Sequence, residues 1–318
     1  MLRSPLPLWV VPAEDEPPHG LLLRLAERNG IQSQSQLSAL TGLSVRELRN
    51  GAGIERLAAV AHCDPAHLMN SAPIVSDGGL AIRGERFSAR HAVRQSVRRL
   101  CPECVVESSH HRFWFDLKFV TTCPAHGRKL IQTCSCGQPL SWTDVRISKC
   151  CRCDNGDVTN IPWVQARPDI LEMDRWILSR LRVGGASSVP ILDSINVGTA
   201  LHVIQNVGLL DLGGYQTAWP EPRDFGVSVA EARSRGFRIL KHERLNDVLD
   251  SVYTAFAASN SGRAATIKNS YGWFGEWLLD LQFQEASARI HETIVVRATR
   301  RKRSQPSFRN GPGLGHAT

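Results

Sequence analysis

Eight cysteines fall within the 53 residues from Cys101 to Cys153, and this run constrains the chain more than any other feature. Cys101-Pro-Glu-Cys104 is followed, after 18 residues, by Cys123-Pro-Ala-His126. Each half leaves two residues between candidate ligands, the spacing at which one backbone turn brings both side chains to a single metal ion. Three thiolates and an imidazole make a closed tetrahedral set for structural zinc. A second set begins at Cys134-Ser-Cys136 and is completed from Cys150-Cys151-Arg152-Cys153. Cys150 with Cys153 restores the two-residue spacing, and Cys151 is the alternative. The expectation is two structural Zn2+ ions, one on Cys101, Cys104, Cys123 and His126 and one on Cys134, Cys136, Cys150 and Cys153. Cys63 stands apart and reads as a small buried hydrophobe.

Closed sites argue against an enzyme. A catalytic zinc keeps an open position for water, and the zinc deaminases add a His-x-Glu half that this chain lacks. Glu103 lies between two ligands, yet a saturated site leaves it nothing to activate, and His110 and His111 read as exposed loop residues. The sequence has no Gly-x-x-x-x-Gly-Lys-Ser/Thr loop, so ATP hydrolysis would belong to a partner. No catalytic residue is assigned. The N-terminus is broken by prolines before an apolar segment develops, and no apolar run approaches the roughly 18 residues a spanning helix needs. The chain is placed in the cytoplasm, away from membranes, where thiols stay reduced and serve as ligands.

The net charge of +8 on 318 residues is uneven. Lys and Arg against Asp and Glu number 6 to 8 over residues 1–82, 10 to 4 over 83–129 and 22 to 18 over 130–318. A clustered basic excess is the footprint of a polyanionic partner, here double-stranded DNA.

The fold expectation is mainly α, in four parts: an N-terminal helical domain over 1–82, an Arg-rich segment with two zinc fingers over 83–158, a C-terminal helical domain over 159–296, and a disordered basic tail over 297–318. In the first part, Ser35 to Leu40, the turn Thr41-Gly42-Leu43 and a helix from Ser44 to Arg49 suggest a helix-turn-helix, with Arg46, Arg49 and Asn50 as candidate DNA contacts. Packed helices joined by a tight turn are the alternative. Arg86, Arg90, Arg94 and Arg98 repeat every four residues and would line one face of a helix over 83–100, as a phosphate-tracking row or a solvated face. Further helices are expected at Asp169–Leu181, Gly198–Leu210, Val229–Leu240, Leu245–Ala258 and Ala265–Leu281, the last containing a packed aromatic cluster at Tyr271-Gly272-Trp273-Phe274 or a second helix-turn-helix.

The series CPEC, CPAHGRKL, CSCGQPL and CCRC, with Trp114 between the first two, resembles the TniQ family of transposition target-selection proteins. So do Leu6-Pro7-Leu8, Gly20-Leu21-Leu22-Leu23-Arg24-Leu25-Ala26 and Asn29-Gly30. The likeness spans about residues 5 to 155. The chain departs from it in the acidic stretch Glu14-Asp15-Glu16 and in the shortened Cys134-x-Cys136. The resemblance implies an N-terminal helix-turn-helix, two zinc fingers, a helical C-terminal part and work as an adaptor. Such an adaptor joins target DNA recognition, its own or that of a CRISPR guide-RNA complex, to an AAA+ ATPase and a transposase, and the family likeness admits a homodimer. A zinc-containing helix-turn-helix regulator unrelated to transposition is the alternative, and a zinc-dependent nucleic-acid enzyme the third reading.

Overall fold

A computed structural model describes residues 6–76, 79–87, 92–93, 97–150, 152–153, 156–216, 218–260 and 266–281, together with 292, 295 and 296. The basic tail over 297–318 lies outside the described residues, as do Arg90, Arg94 and Cys151. Among the described residues the chain is mainly helical, with thirteen α-helices and two small antiparallel sheets. None of these helices is long and apolar enough to cross a membrane. The chain divides into two compact units, residues 1–202 and 203–318.

The first unit opens on α1 (Pro18–Arg28), whose proline at the first turn is pre-set for a helix. Leu21, Leu22, Leu23, Leu25 and Ala26 are fully buried, so α1 is enclosed on most of its circumference. Gly30, at φ +67, ends it in a Schellman motif, with Ile31 N–H donating to the Ala26 carbonyl at 2.9 Å and Gly30 N–H to that of Glu27 at 3.2 Å. Next come α2 (Gln34–Thr41) and α3 (Val45–Arg49), capped by the Ser33 and Ser44 hydroxyls. Gly42 turns the chain between them at φ +70, and Leu37, Leu43 and Leu48 close the corner with no exposed surface. α4 (Ile54–Ala61) and α5 (Pro65–Met69) complete the helical layer.

Then the chain forms a three-stranded antiparallel meander that the sequence reading did not foresee: β1 (Ile74–Ser76), β2 (Gly79–Ile82) and β3 (Glu85–Phe87). Ile82 pairs with Glu85, leaving Arg83 and Gly84, both at positive φ, as a two-residue hairpin turn of the hand that suits strand twist. This corrects the expected helix over 83–100 at residues 83–87 and 97–100, while 88–91 and 94–96 lie outside the described residues. Arg86 sits on a strand, and Val93, Val97 and Leu100 form isolated bridges to Leu117, Ser141 and Ile131. Glu85 accepts from Arg180 at 2.7 Å and from the Val197 amide at 2.8 Å, tying the hairpin to two helices more than 90 residues further along the chain.

The cysteine-bearing part of the unit holds α6 (Pro102–Ser108) and the two-stranded β4 (Thr122–Cys123) and β5 (Arg128–Lys129). After it come α7 (Pro168–Arg180) and the short α8 (Pro190–Asp193), and the division between units falls within α9 (Val197–Gly213).

In the second unit α10 (Val229–Lys241) begins with a capping box, Ser228 and Glu231 each bonding the other's backbone amide. It crosses the C-terminal part of α9 at two glycines. A Cβ on Gly208 would lie 1.9 Å from the Ala232 carbonyl oxygen, and one on Gly236 would lie 1.8 Å from that of Ile204. The two backbones touch there, a packing that only glycine permits. α11 (Leu245–Ser259) buries Leu245, Val248, Leu249, Val252 and Phe256 in the expected row. The helix expected over 265–281 is two, α12 (Ile267–Tyr271) and α13 (Trp273–Leu281), broken at Gly272 with φ +54. Tyr271, Trp273 and Phe274 are buried, with Phe274 packed against Trp273 and Trp277, which makes this stretch an aromatic cluster.

Candidate metal centres

Cys101 immediately precedes α6 and Cys104 sits in its first turn, so Pro102 and Glu103 form the bend that turns both thiols the same way. Cys123 ends β4, and the turn to β5, with Gly127 at φ +62, carries His126 back beside it. His126 Nδ1 lies 3.5 Å from Cys101 Sγ and 3.4 Å from both Cys104 and Cys123 Sγ, and Cys104 and Cys123 Sγ are 3.5 Å apart. Metal bonds of about 2.3 Å to sulfur and about 2.0 Å to nitrogen, at tetrahedral angles, separate ligand atoms by about 3.5–3.8 Å. The four donors therefore fit one tetrahedral cation. Hydrogen bonds from Cys101 and Cys104 pull the Cys123 thiol down to about 3, giving one thiolate, the form that binds metal, while hydrogen bonding to Cys101 and Cys123 pushes the Cys104 thiol up.

Around the donors lies a set of partners that cysteine spacing does not reveal. His126 Nε2 is 2.9 Å from Glu107 Oε1, a carboxylate that fixes the ring with Nδ1 toward the sulfurs. Glu103 faces elsewhere, paired with Arg128 at 3.3 Å. Behind β4, Asp174 of α7 accepts through Oδ2 from the amides of Thr121 and Thr122, both at 2.9 Å, and from the Thr122 hydroxyl at 2.8 Å. It is fully buried, and burial pushes its carboxyl up to about 6.

The second cluster joins Cys134 and Cys136, on a turn closed by Gly137 at φ +81, to Cys150 and Cys153. Cys134 and Cys153 Sγ are 3.7 Å apart and Cys136 and Cys150 Sγ 4.0 Å, again near a tetrahedral edge. The Arg152 amide donates to Cys150 Sγ at 3.4 Å, as a metal-binding knuckle requires. In both clusters the four ligand atoms lie within 4.8 Å of one another.

Arg98, read from the sequence as part of an exposed row, is instead completely buried. Its guanidinium donates to Asp144 Oδ2 at 3.3 Å and to the carbonyls of Arg146 and Lys149, both at 3.1 Å. It pins the segment between the two halves of the second cluster and is out of reach of a phosphate. His110 and His111 are likewise buried, where the sequence suggested exposed loop residues. His110 Nε2 meets Asp15 at 2.7 Å.

His111 belongs to a third group, with His19 and Asp116. His19 Nε2 is 2.8 Å from Asp116 Oδ2, and His111 Nε2 is 3.1 Å from Oδ1. Burial lowers both imidazoles, His111 to about 4, while the same imidazoles hold the Asp116 carboxyl below its usual range against the effect of burial. A metal-bound imidazole donates its other ring N–H to an acceptor. Here both Nδ1 atoms are buried with no hydrogen-bond partner among the described residues. The geometry is that of two neutral imidazoles each donating to one carboxylate oxygen. The rings clamp Trp142 edge-on, at centroid distances of 4.7 and 5.0 Å.

Of the arginines singled out in the sequence, Arg46 and Arg49 line a cleft of about 660 Å³ together with Asn50, Gln34, Trp142 and Thr143. Arg49 lies over the Trp142 ring, 4.6 Å from its centroid. Arg86 is exposed on β3, and Cys63 is half-buried.

Compared with known families, residues 7–130 match the family model described as TniQ, a span that contains α1 to α6 and all four donors of the first cluster. No curated protein matches the chain.

Proposed function

We propose, from the match of residues 7–130 to the TniQ family model, that the chain is a non-catalytic adaptor in the selection of transposition target sites. It joins recognition of target DNA, by its own surface or through a guide-RNA complex, to an AAA+ ATPase and a transposase. Both four-donor clusters carry structural zinc. The observation that supports this reading most is the enclosure of a complete Cys3His set within the matched span. Four protein donors leave no coordination position for substrate, so the metal crosslinks the chain and does no chemistry on DNA. In this reading the surface charge of Arg46, Arg86 and the Lys/Arg-rich tail supplies the sequence-independent part of DNA affinity.

Transposition reconstituted with the ATPase and transposase of the same element tests the reading, with insertion positions sequenced and zinc counted by elemental analysis. Two zinc ions per chain are expected, and insertions should collect at a defined target only when the chain is present. An insertion pattern that is the same with and without it would sink the proposal.

A further inference from the structure

We propose that the cleft between α3 and Trp142 seats the sugar–phosphate backbone of one nucleic-acid strand, so that α3 grips a strand within a concavity instead of entering the groove of a duplex. The inference rests on the DNA-associated reading above and assigns the site at which contact is made.

The cleft, at about 660 Å³, has the size of sites that hold small organic ligands, about 300–1,000 Å³. Its polar wall is cationic and donor-rich. Arg46 and Asn50 are exposed on it, with Arg49, Gln34 and Thr143 beside them, and no carboxylate lines it among the described residues. Glu47, the acid on the same helix, is directed to Arg56 at 3.8 Å and crowds the position of Gly53. The remaining lining includes the apolar Val75 and Leu80. An acid-free cationic wall beside an apolar one suits a chain with one phosphate per nucleotide and a less polar sugar between.

Shape separates this from duplex reading. A recognition helix must project far enough to enter a groove about 12 Å wide and 8.5 Å deep. α3 is five residues long, and Arg46, Arg49 and Asn50 line a concave surface that they share with Trp142 and Thr143 of the second cysteine segment.

The site is also fixed in advance. Trp142 is 7% exposed, clamped by His19 and His111 on its edges, and its carbonyl accepts from Gln34 Nε2 at 3.0 Å. A cation–π contact with that indole, 4.6 Å from its centroid, keeps the Arg49 guanidinium at the cleft, and its planar fork is suited to phosphate oxygens.

Fluorescence anisotropy of the full chain with a labelled 20-nucleotide single strand, and with duplexes of the same and of scrambled sequence, decides the matter. The single strand should bind more tightly than either duplex, with little dependence on sequence. Arg46→Ala combined with Asn50→Ala should weaken strand binding about tenfold. Arg46→Ala alone should reduce the slope of log K against log salt by about 0.7. Both residues are exposed, so unchanged zinc content and circular dichroism should show that the variants fold. Strand affinity unmoved by the double variant overturns the proposal, as does sequence-dependent duplex binding lost on the same substitutions. Displacement of the strand by an equal concentration of polyglutamate would assign the cleft to an acidic protein partner and also overturn it. A chain that grips strands through these residues yet leaves insertion sites unaltered would sink the transposition reading and keep this one, and the opposite pair of results would do the reverse.

Discussion

The two cysteine clusters share a coordination geometry and differ in what surrounds it. Cys101, Cys104 and Cys123 are at most 1% exposed, and the aromatic run Phe113, Trp114 and Phe115 nearby in the chain is buried in the same unit. At the second cluster Cys136 is exposed and Cys153 half-buried, although Leu140, Trp142 and Ile147 in the segment joining its halves are buried. The first cluster is therefore enclosed in a hydrophobic core, while the second has its thiols partly at the surface and only its connecting segment packed inward. A metal at a partly exposed site can be lost with local loosening of the loops that carry its ligands. A site inside a core instead passes its loss on to everything packed around it.

The largest expected effect comes from that contrast. Cys104→Ser should lower the zinc count by one and destabilise the whole first unit by several kcal/mol, read as a drop in melting temperature and as proteolysis reaching α1. Cys153→Ser should also remove one zinc, but with new cleavage confined to residues 131–160 and a much smaller shift in melting. Equal damage from both substitutions would break the comparison.

Asp174 sharpens it, because this carboxylate braces only the strand that delivers Cys123. Burial raises it to about 6 from 3.8. Its folded pKa thus lies above the unfolded one, so its contribution is complete below about pH 4 and is lost as pH rises through about 6. That amounts to about 3 kcal/mol. Asp174→Asn should remove this slope from the difference between variant and parent stability, measured by denaturant titration at saturating zinc. An identical pH profile in the two proteins would contradict the assignment. The smallest effect is expected at Glu107, whose substitution by Gln should loosen the first zinc by about 10- to 100-fold, measured by competition with a chelator, and leave the second unaffected.

The two four-donor groupings were legible in the sequence because tetrahedral closure imposes short, local spacings, and among the described residues, which do not include Cys151, Cys150 and Cys153 are the pair that lies with Cys134 and Cys136. Several helices were legible for a similar reason, since Ser44, Gly30 and the row on α11 are signals read within one or two turns. What could not be read depends on distant pairing. His19 meets Asp116 across 97 positions and Arg98 meets Asp144 across 46. A four-residue repeat of arginines looks like a helix face until a hairpin turn at Arg83-Gly84 puts one member on a strand and the core takes in another. The turn itself was missed because arginine seldom occupies a positive-φ position. Glu107 carried a faint signal, beyond Cys104 on the same helix and close to the last ligand only once the loop has folded back.

The glycine crossing between α9 and α10 sets a limit on how the second unit can diverge. Gly208 and Gly236 each leave space that the opposite backbone already fills, so no side chain at either position is compatible with the present spacing of the helices. Neither site can drift alone. A methyl group at one must be answered by moving an entire helix, and with it the rows of apolar contacts along both, so sequences sharing this packing should keep both glycines while the surface around them varies freely.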